Sequence, residues 1–130
     1  MRRCASNKLT RRHGLLCCIE LFKALSDPTR IRIAALLAQN GTLCVCNLAV
    51  ALDISEYNIS RHLTKLKSAG VVLSERRGQW MYYSLAKPGN AVERSIQRCL
   101  KTCFQSDETI IADQNRLSDV RCGQPKRKKQ

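Results

Sequence analysis

A chain of 130 residues with 23 Lys plus Arg against 10 Asp plus Glu carries a formal charge of +13. That length gives one core and leaves no room for two unrelated catalytic domains, and the charge favours a polyanionic partner, nucleic acid ahead of a membrane surface. No apolar run approaches the ~18 residues of a spanning helix, and the opening MRRCASNKLTRRHG has neither a long apolar core nor a cleavage signal, so a cytoplasmic protein is expected.

Residues 1–12 are polar and basic and read as a flexible arm. From there the apolar positions Leu15, Cys18, Ile19, Phe22 and Leu25 recur at helical spacing and predict a first amphipathic helix. In SDPTR, Asp27 is a good N-cap and Pro28 suits the first helical position, where no backbone donor is needed. The second helix runs to about Ala38 with Ile33, Leu36 and Leu37 inward, and Gly41 follows its end. Residues 44–52 predict a short third helix with Leu48 and Leu52 on its buried side. After Asp53 and Ile54, Ser55 caps a fourth helix reaching Ala69, with Ile59, Leu63 and Leu66 at i, i+4 and i+7. Two short helices joined by a tight turn, the second with an apolar stripe and a polar opposite face, form a helix-turn-helix pattern.

VVLSERRGQWMYYSL then changes the period around a polar RRGQ turn and predicts a β-hairpin, the wing that often follows such a motif. NAVERSIQRCLKTCF predicts a last helix from Asn90 to about Phe104, striped by Val92, Ile96, Leu100 and Cys103 or Phe104. No intrachain surface is left for it, so it is expected at a dimer interface. Beyond Ser106 the periodicity fades towards a terminal PKRKK. The expected organisation is a flexible basic arm over 1–12, a winged helix-turn-helix domain for DNA binding and dimerisation over 13–105, and a basic disordered tail over 106–130. The fold class is mainly α with a small β-hairpin.

With Ile59, Leu63 and Leu66 inward, Tyr57, Arg61, Thr64 and Ser68 point the opposite way, flanked by Asn58, Ser60 and Lys65. In this motif the start of the second helix meets base edges, which selects Ser55, Tyr57, Asn58, Ser60 and Arg61 as DNA-binding residues. Lys65 and Lys67 lie deeper along the helix and suit phosphate contact. Arg76, Arg77 and Gln79 surround Gly78 at the wing tip, where they suit a phosphate backbone or a minor groove. His62 sits at the edge of the apolar stripe and suits packing or phosphate contact rather than metal ligation, and Trp80, Tyr82 and Tyr83 are expected to hold the wing against the core.

Eight cysteines lie at 4, 17, 18, 44, 46, 99, 103 and 122. In a reducing compartment, metal or metalloid binding or redox sensing explains so many better than a disulfide framework, although single free cysteines also serve as small core residues. Cys99 and Cys103 are i, i+4 and share a helix face, whereas Cys44 and Cys46, two apart, would diverge by about 200° in a regular helix.

LFKALSDPTRIRIAALL, LCVCNLA, ISRHLTKLKSAGVV and RRGQWMYYSL resemble, in that order, blocks of the ArsR/SmtB family of bacterial metal-responsive repressors, and within it the arsenical-resistance repressors most. The resemblance covers roughly residues 15–105. It implies a homodimeric winged helix-turn-helix whose first and last helices build the dimer. It also implies binding to palindromic operator DNA without a cofactor, and release when As(III) or Sb(III), the inducer, binds cysteines. The family's C-x-C-x-x-C pattern places ligands here at Cys44 and Cys46, but the third position is Ala49. A third thiolate must come from elsewhere, among Cys17, Cys18, Cys99 and Cys103, with Cys4 and Cys122 as remoter choices. Soft thiolates match a thiophilic trivalent centre. Zinc sensing at the last helix is disfavoured, since that segment offers Glu93 and no His.

Two other readings compete. One is a repressor switched by thiol oxidation, acting through Cys17, Cys18, Cys44 and Cys46. The other is a metalloid-sequestering protein that does not bind DNA. An enzyme is not expected, because a thiol oxidoreductase or arsenic reductase would want a C-x-x-C or an activated Cys in a βαβ setting.

Overall fold

The computed structural model describes residues 14–119, so the predicted arm, Cys4 and Cys122 lie outside the described residues. Helices α1 (Gly14–Leu25) and α2 (Pro28–Asn40) are followed by a short strand β1 (Leu43–Cys44), then α3 (Val45–Leu52) and α4 (Glu56–Ser68). Strands β2 (Val72–Arg77) and β3 (Trp80–Leu85) form the wing, and α5 (Ala91–Thr102) and α6 (Glu108–Asp119) are the last elements among the described residues. The helix starts obey local chemistry. The Asp27 carboxylate accepts from the Arg30 N–H at 3.1 Å, the Ser55 hydroxyl from the Asn58 N–H at 3.2 Å, and the Asn90 side chain from the Glu93 N–H at 2.8 Å. Gly41, with φ 86°, ends α2 in a conformation that a side chain would strain.

The core is built around α2, whose Ile33, Ala34, Ala35 and Leu36 are fully buried, with Leu48 and Leu52 from α3 and Ile59, Leu63 and Leu66 from α4. All three strands form one antiparallel sheet in the order β1-β3-β2. The wing is closed by a two-residue turn in which Gly78 takes φ 64°. The predicted hairpin is therefore extended by a third strand, since Leu43 and Cys44 pair with Tyr83 and Tyr82.

Three expectations are corrected, and α1 gains an orientation. Residue 44 is not helical: Cys44 closes β1 and caps α3 with φ −90° and ψ 166°, so the divergence expected of a helical Cys44–Cys46 pair does not apply. On α1 the inward face is Leu21, Ala24 and Leu25, whereas Leu15, Ile19 and Phe22 face outward. Helix α5 does have an intrachain partner, packing on α2 with Leu100 buried and its carbonyl accepting from Gln39.

The third correction is the largest. Residues 108–119 of the expected tail form α6, which packs on α2 and α3. Ile110 and Leu117 enter the core, and between them Asp113 is fully buried. Its carboxylate accepts from Arg32 Nε and Nη2 at 2.9 and 2.8 Å and from Arg116 Nη2 at 2.9 Å. The same two guanidiniums donate to the last carbonyls of α3, Arg32 to Leu52 O at 3.0 Å and Arg116 to Ala51 O at 2.8 Å. Asn40 and Gln114 exchange amide hydrogen bonds beside them. The periodicity fades in sequence because a carboxylate occupies the buried stripe, and its partner lies 81 residues away.

Candidate nucleic-acid interface and thiol site

Helices α3 and α4 meet at Asp53, whose left-handed backbone (φ 58°, ψ 48°) makes the tight turn. With Ile59, Leu63 and Leu66 anchored, α4 turns Tyr57, Asn58, Ser60 and Arg61 to solvent. Tyr57 is 74% exposed, and the Arg61 guanidinium lies 5.9 Å from its ring centroid, so a cation and an aromatic are presented together at the start of the helix. Ser55, Lys65, Arg76, Arg77 and Gln79 are likewise exposed.

The wing cations differ in their tethering. Arg77 is held by Glu75 at 3.2 Å and stacks 4.6 Å from the Tyr82 ring centroid, while Arg76 stands exposed at the end of β2. Lys67, expected on phosphate, instead donates from Nζ to Ser74 Oγ at 2.6 Å and ties α4 to β2. His62 bridges inward, with Nδ1 3.4 Å from Arg30 Nη1 and 3.8 Å from Asp27 Oδ2, which fastens α4 to the start of α2. Tyr83 packs against the core and Tyr82 carries Arg77.

The thiols fall in three places. Cys44 is fully buried at the junction of β1 and α3, and its N–H donates to Asn47 Oδ1 at 3.1 Å. Burial pushes its thiol above the ordinary value, an effect reduced by the backbone N–H groups of Asn47 and Cys46. Cys46 lies in the first turn of α3, also buried, and is disulfide-bonded, as is Cys17 on α1. Cys18 is a free, half-buried thiol. On α5, burial raises the Cys99 thiol and the adjacent Cys103 sulfur adds to the rise, so this i, i+4 pair does converge. Ala49, which stands where the expected third thiol would be, packs against the core. No three His, Cys, Asp or Glu side chains among the described residues come together as a metal site.

Sequence reasoning missed Asn47. It is 3% exposed, caps the Cys44 backbone, and its Nδ2 has no hydrogen-bond partner among the described residues. The signal was present as a Cys-x-x-Asn spacing, a variant of the reciprocal box that caps helix starts.

A short helix, a left-handed turn and an exposed polar helix, followed by a basic wing, define a winged helix-turn-helix DNA-binding protein. Residues 27–74 match the model of the bacterial regulatory protein, arsR family. The chain is 42% identical over 94 residues to the arsenic resistance transcriptional regulator ArsR2 of Pseudomonas putida, covering 72% of this chain and 79% of that protein. It is 48% identical over 68 residues to the arsenical resistance operon repressor of Escherichia coli, a match spanning 52% of this chain and only 58% of that relative. Among solved structures, the homodimeric winged helix-turn-helix domain Mb0332 of Mycobacterium bovis is similar, with a TM-score of 0.58 and 29% identity over 81% of this chain and 87% of that one. The chain belongs to the arsR family, whose members are DNA-binding transcriptional regulators rather than enzymes. No helix among the described residues is long and apolar enough to cross a membrane.

Proposed function

We propose that this protein is an As(III)-responsive repressor of the bacterial cytoplasm, a homodimer that binds palindromic operator DNA and leaves it when As(III) or Sb(III) is bound by thiolates. Cys44 and Cys46 are the primary ligands and Cys17, Cys18, Cys99 or Cys103 supplies the third, with Cys46 and Cys17 available once cellular thiols have reduced their disulfides. The DNA is read by Ser55, Tyr57, Asn58, Ser60 and Arg61, with Lys65, Arg76, Arg77 and Gln79 on flanking phosphates and grooves. The observation that carries this reading is the position of Cys44. It closes the strand that abuts the wing and caps the helix that leads into the reading helix. The names of the relatives, an arsenic resistance regulator and an arsenical resistance operon repressor, point the same way.

The chemistry follows from that cap. A soft trivalent centre takes the deprotonated sulfur, which the burial of Cys44 disfavours despite the backbone N–H groups around it. Binding therefore rewards a conformer in which the start of α3 has opened, and a ligand fitting open and closed states equally would shift nothing. Reversing a 99:1 preference takes roughly 5.5 kcal/mol of differential affinity, within reach of two or three sulfur–metalloid bonds formed in one state only.

A second reading, thiol oxidation as the signal, is supported by Cys17 and Cys46 each being in a disulfide. One titration separates them: As(III) added to DNA-bound protein under strictly reducing conditions releases the DNA, and the Cys44→Ser and Cys46→Ser variants stay bound. Release by peroxide but not by As(III) would select the oxidation reading, and unchanged As(III) release in both variants would remove the site.

A further inference from the structure

The reading face of α4 does not stop at Arg61. Its second half forms the floor of an open cleft against α1 and α2, where Lys23, Arg30 and Lys65 meet Thr64 and Ser68, with Glu20 as the acidic group at its edge. Thr64 and Ser68 lie on the side of α4 opposite Ile59, Leu63 and Leu66, so the cleft continues the face that carries Tyr57 and Arg61. Three cations from three different helices thus converge on one concave surface.

We propose that this cleft seats a phosphodiester of the DNA backbone flanking the bases read by α4, with Lys23 and Arg30 as positioning residues for the duplex; this rests on α4 being the reading helix. Arg30 is preset for the task. Its Nε donates to the Ala24 carbonyl at 2.6 Å and its Nη1 lies 3.4 Å from His62 Nδ1, so the guanidinium lines the cleft in a fixed orientation and loses little freedom on meeting an oxyanion. Lys23 is exposed on the last turn of α1 and supplies a mobile point charge opposite it. When the start of a recognition helix enters the major groove, its far half passes the groove edge, where phosphates rather than bases are within reach. Charge complementarity therefore selects the backbone of the same duplex, and such contacts fix register without reading sequence.

The test is fluorescence anisotropy of the full chain on two labelled duplexes of unrelated sequence, each over a salt series. Loss of one phosphate contact flattens the slope of log K against log salt by about 0.9. Lys23→Ala is expected to do so, and Lys23→Ala with Arg30→Gln to do so about twice over, by equal amounts on both duplexes. Lys101→Ala, an exposed lysine on α5 outside the cleft, serves as the control for a bare change of net charge. A Lys23→Ala slope equal to that of Lys101→Ala overturns the proposal, as does an effect confined to one duplex. If Arg30→Gln lowers the melting temperature, Lys23→Ala still decides, because its side chain is exposed. Failure of the unaltered chain to bind either duplex overturns the assignment of α4 itself, whereas intact binding with an unshifted slope removes only the cleft.

Discussion

Cys44 shows how much one residue's surroundings alter its chemistry. The thiol is fully buried and held above its ordinary value of 9.0 by desolvation, with Glu56 adding a smaller push in the same direction. Because each sulfur–arsenic bond replaces an As–OH bond, and the thiol proton leaves with that hydroxide as water, the As(III) concentration that releases half of the bound DNA is expected to change little from about pH 6 to about pH 8, while the rate of release, set by the thiolate fraction, is expected to rise. Stability runs the opposite way. A raised folded-state value means that the stabilising burial of the neutral thiol is complete below the unfolded value and is lost as pH climbs through the folded one. Urea melts in the alkaline range are expected to show this loss, and Cys44→Ser to lack it. Arg61, exposed and set beside Tyr57, belongs to the proposed DNA-reading face. Arg61→Ala should weaken DNA binding by about 1–3 kcal/mol while As(III) affinity, measured on the free protein, stays put; an equal fall in both would mean misfolding.

At the scale of the element, α6 couples to the reader through the end of α3. Asp113 pairs with both Arg32 and Arg116, and those two guanidiniums satisfy the carbonyls of Ala51 and Leu52 that a helix end leaves without intrahelical partners. Removing the carboxylate strands two cations next to an apolar contact. Their side chains are 21% and 43% exposed, so the cost falls at the low end for a broken buried pair, about 3 kcal/mol for Asp113→Ala in denaturant unfolding. The same variant is expected to weaken DNA binding, since the turn at Asp53 begins where the clamp ends. A variant with normal stability would show that α6 is only loosely docked. None of this was legible in the sequence, because an ion pair spanning 81 positions leaves no local pattern. The N-caps at Asp27 and Ser55 were legible, because a cap bonds to a residue three positions away.

At the scale of the whole molecule, α1 is the unfinished part. Leu15, Leu16, Ile19 and Phe22 are 76%, 58%, 42% and 51% exposed, and Val92 on α5 is 36% exposed. Large apolar side chains gathered along one helix mark an association surface, and a second copy of this chain is the proposed cover. Phe22→Asp, which puts a charge on that face, should give monomers in sedimentation velocity and lose most DNA affinity, because two half-sites are then no longer gripped together. Retention of a dimer would place the interface elsewhere. The apolar period on α1 was legible as helical, but not which partner it faces. Amphipathicity shows that a face is covered without showing whether by the same chain or another.

By itself the sequence determined what depends on near neighbours: the helix starts, the turn before α4, the wing around Gly78, the exposed residues of the reading helix, and the family resemblance carried by four short blocks. The tertiary structure alone decided what depends on distant partners. It turned Cys44 from a helical position into a buried strand end paired with Tyr82, made Lys67 a tie to the wing, and drew residues 108–119 into the core around Asp113. The physical reason is one of range: backbone capping and hydrophobic period act over a few residues, whereas desolvation and ion pairing act through space and are set only when the chain has closed.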